Sequence, residues 1–158
     1  MCIKNNVTRL IDSQKIAYTV YELPTEKLGA LKTAELLNIS PDVVFKTIVI
    51  TRKSGRPVLV VIPGSREVDL KAVAKFLGEK KVTLPTQAEA EKLTGLQAGG
   101  ISPLALLNKG FVILLDESAR EYAEIHISGG QRGLNIRLGV DDLVKLTNAR
   151  VAKVSKAV

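Results

Sequence analysis

Apolar residues recur along the chain with two different spacings, and each spacing predicts a different kind of element. Alternating or continuous runs of apolar residues predict β-strands, because successive side chains of a strand point to opposite faces. Apolar residues three or four apart predict helices with one buried side. Strands are predicted at 16–23, 45–51, 57–63, 80–85, 111–116, 124–128, 134–138 and 150–154. Helices are predicted at 7–15, 33–39, 69–78, 87–93 and 140–147.

Capping residues and glycines mark the ends of several of these elements. Thr86 and Glu89 form a capping box, which predicts the start of a helix. Gly78 and Gly95 follow helical patterns and predict helix ends, because glycine readily adopts the left-handed conformation common there. The turn at 53–55 separates two strongly apolar runs and predicts a hairpin.

The order of the predicted elements indicates the fold class. Strands outnumber helices, and several neighbouring strands are close enough in sequence to form hairpins. Strands and helices do not alternate regularly, which disfavours a doubly wound parallel sheet. We therefore predict an α+β fold with helices packed on a mixed, largely antiparallel sheet. A length of 158 residues suits one domain with a buried core, so a single domain covering 1–158 is expected.

The composition narrows the class of protein. Hydrophobic residues make up 46% of the chain and charged residues 25%, as in ordinary soluble proteins. No apolar run is long enough to span a membrane and no secretory signal is visible, so a cytoplasmic location is expected. Cys2 is the only cysteine, which excludes a disulfide framework and a cysteine-based zinc site. We expect neither a metal nor a cofactor, and Cys2 is a poor candidate nucleophile so close to a chain end.

The charge favours a polyanionic partner. The net charge is +7, from 23 basic and 16 acidic residues, and nucleic acid is the first candidate. Three Phe, three Tyr and no Trp leave few side chains on which bases could stack, so phosphate contacts would dominate. One candidate basic stretch, which a solvated face explains equally well, contains Lys71, Lys75, Lys80 and Lys81.

Lys46 stands at the start of an otherwise apolar strand. In FKTIVI it shares a strand face with Ile48 and Ile50, while Phe45 and Thr47 take the other face. A lysine on an apolar face is costly to bury without a partner. Its ammonium could reach water along the apolar surface, or it could open into a pocket that takes an anionic or carbonyl ligand.

Two glycine-rich segments are candidate ligand loops. The first glycine loop is AGGISP, 98–103, and the second glycine loop is SGGQRG, 128–133. Consecutive backbone N–H groups in such loops can cradle a carbonyl oxygen or a phosphate, although each segment also suits a plain turn. Neither segment has the spacing of a nucleotide-binding loop.

A conventional catalytic set is missing. His126 is the single histidine, and in EIHIS it alternates with Ile125 and Ile127, as expected for a polar face of a strand. Without a second histidine or a nearby cysteine, a nucleophile–histidine pair is hard to build. The pattern favours a protein that positions a substrate carrying its own reactive group.

Three motifs in order and spacing resemble one family: Phe45-Lys46-Thr47, then GGISP at 99–103, then SGGQRGLNI at 128–136. They are similar to the YbaK family, free-standing relatives of the editing domain inserted in bacterial prolyl-tRNA synthetases. The resemblance covers nearly the whole chain. It implies a nearly barrel-like mixed sheet surrounded by helices, and deacylation of mischarged Cys-tRNA(Pro), with Cys-tRNA(Cys) as a further substrate. It also implies a transient complex with prolyl-tRNA synthetase.

The resemblance further implies which residues act. The family's essential lysine falls on Lys46, and its GxxxP loop, whose backbone amides contact the aminoacyl end, falls on Gly99 to Pro103. The implied catalytic residues are Lys46, Gly99, Gly100 and Ile101. The implied substrate-binding residues are Tyr21, Phe45, Thr47, Ser102, Pro103, Ser128, Gly129, Gly130, Arg132, Gly133 and Asn135. Asn135 stands where the family often has aspartate, and Ala105 and Leu106 stand where it often has glycine and glutamine.

The implied mechanism needs no protein nucleophile. In the YbaK branch the thiol of the substrate's cysteine attacks its own ester carbonyl, and loop amides would stabilise the oxyanion. We hypothesise that Lys46 holds the terminal ribose or phosphate instead of acting as a base, because no neighbouring group that would depress its pKa is evident. Hydrolytic editing of Ala- or Ser-tRNA, a non-catalytic module that binds tRNA or a synthetase, and a small-molecule binding protein are the alternatives.

Overall fold

A computed structural model describes residues 4–53 and 55–158, and this part of the chain contains ten β-strands and five α-helices. The strands are β1 Tyr18–Glu22, β2 Phe45–Arg52, β3 Val58–Pro63, β4 Arg66–Val68, β5 Val82–Thr83, β6 Val112–Asp116, β7 Glu124–Ser128, β8 Leu134–Gly139, β9 Arg150–Ala152 and β10 Ser155–Ala157. The helices are α1 Asn6–Ser13, α2 Ala30–Leu37, α3 Leu70–Leu77, α4 Gln87–Thr94 and α5 Val140–Thr147. Cys2, and Ser54 of the predicted 53–55 turn, lie outside the described residues.

A five-stranded mixed sheet, in the order β5-β2-β3-β6-β9, carries the start of β2. The hairpin of β2 and β3 is antiparallel, as predicted, with Lys46 opposite Ile62. β6 pairs with β3 and β9 pairs with β6 in parallel. Parallel neighbours need long crossover connections, and here the segments between them hold helices and both glycine loops.

Two smaller antiparallel sheets complete the strands. β1, β8 and β7 form a three-stranded sheet in that order, and β10 pairs with β4. The described strands are thus divided among three sheets, and none of these closes into a barrel. The α+β class with mixed, mainly antiparallel pairing is confirmed. β4 and β10 were not predicted, because each has only three residues, REV and SKA. Three residues are too few to show apolar alternation.

The five-stranded sheet separates two apolar layers. Phe45 and Val49 point into the first layer, which also holds side chains of α1 and of the three-stranded sheet. Ile50 points into the second layer, beneath α3. Lys46 follows Phe45 in β2, so its side chain leaves the opposite face of the sheet, on the side of the second layer, as the strand pattern predicted.

Helix capping follows the sequence signals. Thr86 and Glu89 form the predicted capping box of α4, and Gly95 ends that helix with φ 74°. Gly78 ends α3 in the same left-handed conformation, with φ 73°.

Among the described residues no helix has both the length and the apolar character needed to cross a membrane.

Candidate active site

A cavity of about 250 Å³ opens where the start of β2 meets the two glycine loops and the segment 23–30. Several residues predicted for the site line this cavity, namely Phe45, Lys46, Thr47, Gly99, Ile101, Ser128, Gly133 and Asn135. The other predicted residues lie outside the lining: Tyr21, Gly100, Ser102, Pro103, Gly129, Gly130 and Arg132. Several of these residues outside the lining hold the two glycine loops in place.

The two glycine loops are in direct contact with each other. Arg132 of the second loop donates from Nε to the carbonyl oxygen of Ala98, at 2.7 Å. A Cβ at Gly100 would lie 2.9 Å from the backbone nitrogen of Arg132 and 2.9 Å from Cα of Gln131. Only glycine therefore allows the backbones to approach this closely at position 100.

Two residues of the first glycine loop line the cavity and have unpaired backbone amides. The N–H of Gly100 donates to the carbonyl oxygen of Gln97 at 2.8 Å and is therefore occupied. Gly99 and Ile101 line the cavity, and within the described residues their N–H groups donate no hydrogen bond. Two free donors, one on each side of Gly100, form a nest suited to an oxyanion or a phosphate oxygen.

Ser102 and Pro103 shape the loop from behind the cavity. Ser102 is fully buried, and its hydroxyl accepts a hydrogen bond of 3.3 Å from the N–H of Leu104. Pro103 is the first residue of the short 3₁₀ turn that follows. These two residues fix the direction in which the chain leaves the nest.

The second glycine loop is tied to the N-terminal helix. The side chain of Asn5, which caps α1, donates from Nδ2 to the carbonyl oxygen of Gly129 at 2.9 Å. The hydroxyl of Ser128 accepts from the N–H of Gly130 at 3.3 Å. Gly133 has φ 84°, and a Cβ there would lie 2.8 Å from the carbonyl oxygen of Leu23. Asn5 was not among the predicted residues, although an asparagine before VTRLID is a helix-capping signal.

Lys46 is half-buried at the cavity wall, as the pocket alternative requires. Within the described residues no hydrogen bond or ion pair holds its ammonium. Burial lowers the pKa of Lys46 below its ordinary value, and the Glu67 carboxylate opposes that shift. The expectation was that no neighbouring group depresses this pKa. The pKa is lowered, but by loss of hydration and not by a neighbouring charge, since Glu67 raises it.

Glu67→Gln is expected to lower the pKa of Lys46 further, because Glu67 supplies the negative charge that raises it. The measurement is a pH titration of the Lys46 side-chain nitrogen resonance, assigned by its absence in Lys46→Ala. A ligand that needs the charged ammonium would then be released at a lower pH. Glu117→Gln, an exposed glutamate away from the cavity, is the control. A Lys46 pKa that stays at the wild-type value in Glu67→Gln would contradict the prediction.

A polar cluster lies beside the cavity on one face of the three-stranded sheet. Nδ1 of His126 lies 2.8 Å from Oδ1 of Asn135, and both side chains are buried. The ring of Tyr21 lies 5.3 Å from the His126 ring, and the Arg137 guanidinium lies 5.9 Å from the Tyr21 ring. Burial lowers the pKa of His126, and the hydrogen bond to Asn135 acts in the opposite direction. His126 thus occupies the polar strand face that its alternation with isoleucines predicted.

The segment 23–29 forms a cavity wall that sequence reasoning missed. It follows β1 and contributes Glu26 and Lys27 to the lining. Glu26 is the only carboxylate that the described residues bring to this lining, and Lys27 bonds to Gln87 of α4. A proline and a glycine bracket this connection, PTEKLG, and loops that join a strand to a helix often carry function.

Comparisons with known proteins agree on one family. The sequence profile described as an aminoacyl-tRNA editing domain matches residues 26–146. The chain is 37% identical over 154 residues to EbsC of Enterococcus faecalis, a proposed Cys-tRNA(Pro)/Cys-tRNA(Cys) deacylase, covering 96% of this chain and 93% of that protein. It is 31% identical over 85 residues to a proline–tRNA ligase of Aquifex aeolicus, covering 54% of this chain and 15% of the ligase.

A solved structure shares the fold. The crystal structure of a proposed trans-editing enzyme for prolyl-tRNA synthetase superposes with a TM-score of 0.81. The two chains are 24% identical, and the match covers 99% of this chain and all of the other. The two proteins therefore share the arrangement of helices and strands.

Proposed function

We propose a substrate and a mechanism for this chain, which belongs to the family of aminoacyl-tRNA editing domains. It is an editing deacylase of the YbaK type, and it acts on aminoacyl-tRNA. The substrate that we propose is Cys-tRNA(Pro), with Cys-tRNA(Cys) as a second. This choice is supported by EbsC, which is named as a deacylase of both substrates and which this chain matches over nearly its full length.

One observation carries the proposed mechanism: the described lining has hydrogen-bond donors but no paired nucleophile. The hydroxyls in the lining belong to Thr33, Thr47 and Ser128. The single histidine, His126, lies outside the lining and is bonded to Asn135. A cavity of this kind can orient a reacting molecule and stabilise negative charge, while the attacking group comes from the substrate.

The substrate's cysteine supplies that group. Its sulfur bonds to the ester carbonyl carbon, the bond from that carbon to the ribose oxygen breaks, and the thiol proton ends on the ribose oxygen. The products are a cyclic thioester of cysteine and free tRNA. The N–H groups of Gly99 and Ile101 donate to the carbonyl oxygen as it becomes negative. Lys46 holds the terminal ribose or phosphate with its charge.

Glu26 favours a second candidate function, hydrolytic editing of Ala- or Ser-tRNA. A carboxylate at the cavity could take a proton from a water molecule that attacks the ester. In this case the side chain of the amino acid would take no part in the reaction. The two candidates share the nest and Lys46 and differ in the origin of the nucleophile.

Single-turnover deacylation of cysteinyl- and α-aminobutyryl-tRNA(Pro) distinguishes cyclisation of the substrate from hydrolysis by water. α-Aminobutyrate has a methyl group in place of the thiol, so the two substrates are similar in size but only one can cyclise. We expect cysteine to be released at least about 100-fold faster, because intramolecular attack has a large effective concentration. Spontaneous hydrolysis without protein is subtracted from both rates. Equal rates would establish attack by water and contradict substrate-assisted cyclisation.

We propose prolyl-tRNA synthetase as the partner that contributes tRNA specificity. The likeness of this chain to part of a proline–tRNA ligase supports a shared substrate. The scarcity of aromatic residues in the chain also argues for specificity supplied from outside. The same assay with added synthetase tests the partner, since its presence should favour Cys-tRNA(Pro) over Cys-tRNA(Cys).

A further inference from the structure

We propose that His126 is a positioning residue that fixes the side-chain amide of Asn135, so that Nδ2 of Asn135 donates a hydrogen bond into the cavity. The acceptor is an oxygen of the aminoacyl ester or of the terminal ribose. This proposal rests on the proposed function for the identity of the acceptor. The orientation of the amide does not depend on it.

The hydrogen bond between the two side chains sets the direction of the amide. Nδ1 of His126 lies 2.8 Å from Oδ1 of Asn135. An amide oxygen can only accept, so Nδ1 must carry the proton in this pair. Nδ2 of Asn135 makes no hydrogen bond within the described residues, and Asn135 lines the cavity whereas His126 does not. The two donor hydrogens of Nδ2 are therefore available to a ligand.

The surroundings hold the His126 ring in place. His126 is 6% exposed, and its strand β7 pairs with β8 so that His126 lies opposite Arg137. The Tyr21 ring of β1 packs against it, and Val44 bridges to its backbone from the other side. The charged groups that act on the ring are Arg137 and Glu124. Burial favours the neutral ring, and the neutral ring with a protonated Nδ1 is the form that the bond to Asn135 requires.

The consequence concerns the polarity of the cavity. With its oxygen turned to His126, Asn135 adds a third kind of donor to the Lys46 ammonium and the amides of Gly99 and Ile101. With the amide turned over, Oδ1 would face the cavity and would favour a donor such as the substrate's ammonium. His126 thus decides whether position 135 selects an acceptor or a donor on the substrate.

The tautomer of His126 tests the orientation directly. The chain has one histidine, so a long-range nitrogen–proton correlation spectrum of the imidazole needs no assignment. At neutral pH we expect a neutral ring protonated at Nδ1, and in Asn135→Ala a shift toward protonation at Nε2. If the wild-type ring were protonated at Nε2 alone, Nδ1 could only accept a hydrogen bond, and Asn135 would have to turn its Nδ2 toward His126. This result would overturn the proposal. This measurement uses no tRNA, so its outcome is independent of the proposed function.

Deacylation kinetics test the consequence for the substrate. His126→Phe keeps a ring but cannot donate, and we expect kcat/KM for Cys-tRNA(Pro) to fall about tenfold because one hydrogen bond to the substrate is lost. His126→Asn can place an amide nitrogen near the position of Nδ1 and should restore most of this loss. Thr147→Val removes a buried hydrogen bond to Leu143 in α5 and is the matched control for stability.

Two results would overturn the positioning role. One is a kcat/KM in His126→Phe equal to that of wild type. The other is an equal loss in His126→Phe, His126→Asn and Thr147→Val, which would indicate a general effect of destabilisation. If wild type releases no cysteine, the proposed function fails instead. Binding of a non-hydrolysable cysteinyl-adenosine amide then replaces kinetics, and the Asn135 side-chain amide resonance should shift in wild type and not in His126→Phe.

Discussion

Replacing Lys46 by alanine is expected to lower kcat/KM for deacylation by about 100-fold or more, the usual cost of removing one preorganised charge or donor from a reacting centre. Lys46 is half-buried, lines the cavity, and has no partner that would hold it elsewhere among the described residues. Its removal leaves Lys27 as the only other cation of the described lining, and that side chain is exposed and bonded to Gln87. Single-turnover release of cysteine from Cys-tRNA(Pro) measures the effect.

Two further variants define what Lys46 contributes. Lys145→Ala removes the same charge from an exposed position of α5, outside the cavity, and should leave the rate unchanged. Lys46→Arg keeps the charge but changes its shape and hydration. Full activity of Lys46→Arg would indicate a role for charge alone, and a strict need for lysine would indicate geometry or proton transfer. Lys46→Ala with the rate of wild type would exclude Lys46 from the reaction.

Gly100→Ala is expected to lower kcat/KM by about 100-fold, because displacement of a reacting group by about 1 Å has an effect of this order. A Cβ at position 100 would lie 2.9 Å from backbone atoms of Gln131 and Arg132, which cannot rotate away. The loops must then separate, and the amides of Gly99 and Ile101 move with them. The free energy of unfolding should fall by about 1 to 3 kcal/mol, as for other overpacked sites. Single-turnover kinetics and urea unfolding measure the two effects.

The control for Gly100→Ala is Gly139→Ala. The added Cβ at position 139 would meet the flexible carboxylate of Asp142 at 3.1 Å, outside the cavity. This variant should retain the rate of wild type. If Gly100→Ala kept both the rate and the stability of wild type, the contact between the two loops would not determine the geometry of the nest.

The sequence alone predicted the features that depend on residues close together in the chain. Alternation in FKTIVI correctly assigned the two faces of β2, and Thr86 with Glu89 correctly marked the start of α4. The parallel pairing of β3 with β6 was not predicted, because partners so far apart in sequence leave no local signal. β4 and β10 were missed for a related reason, since each is stabilised by the other and not by its own pattern.

The candidate site was predicted in its parts but not in its arrangement. Lys46 and the two glycine loops were singled out from residue type alone. That Gly100 packs on the other loop while Gly99 and Ile101 face the cavity depends on tertiary contacts. Glu26 gave no signal because charged residues are ordinary in loops. The bond between His126 and Asn135 needed the register of β7 against β8, in which Ser128 lies opposite Asn135.

The pairing of β1 with β8 has a consequence for the growing chain on the ribosome. The cavity wall at 23–29 begins where β1 ends, and the N–H of Leu23 is bonded to the carbonyl oxygen of Gly133. This wall therefore lacks its bond to the second glycine loop until more than a hundred further residues have been made and β8 has formed. Contacts so distant in sequence form late in folding. A partly synthesised chain thus has no assembled cavity, and deacylation begins only after the C-terminal half has emerged and folded onto the first strand.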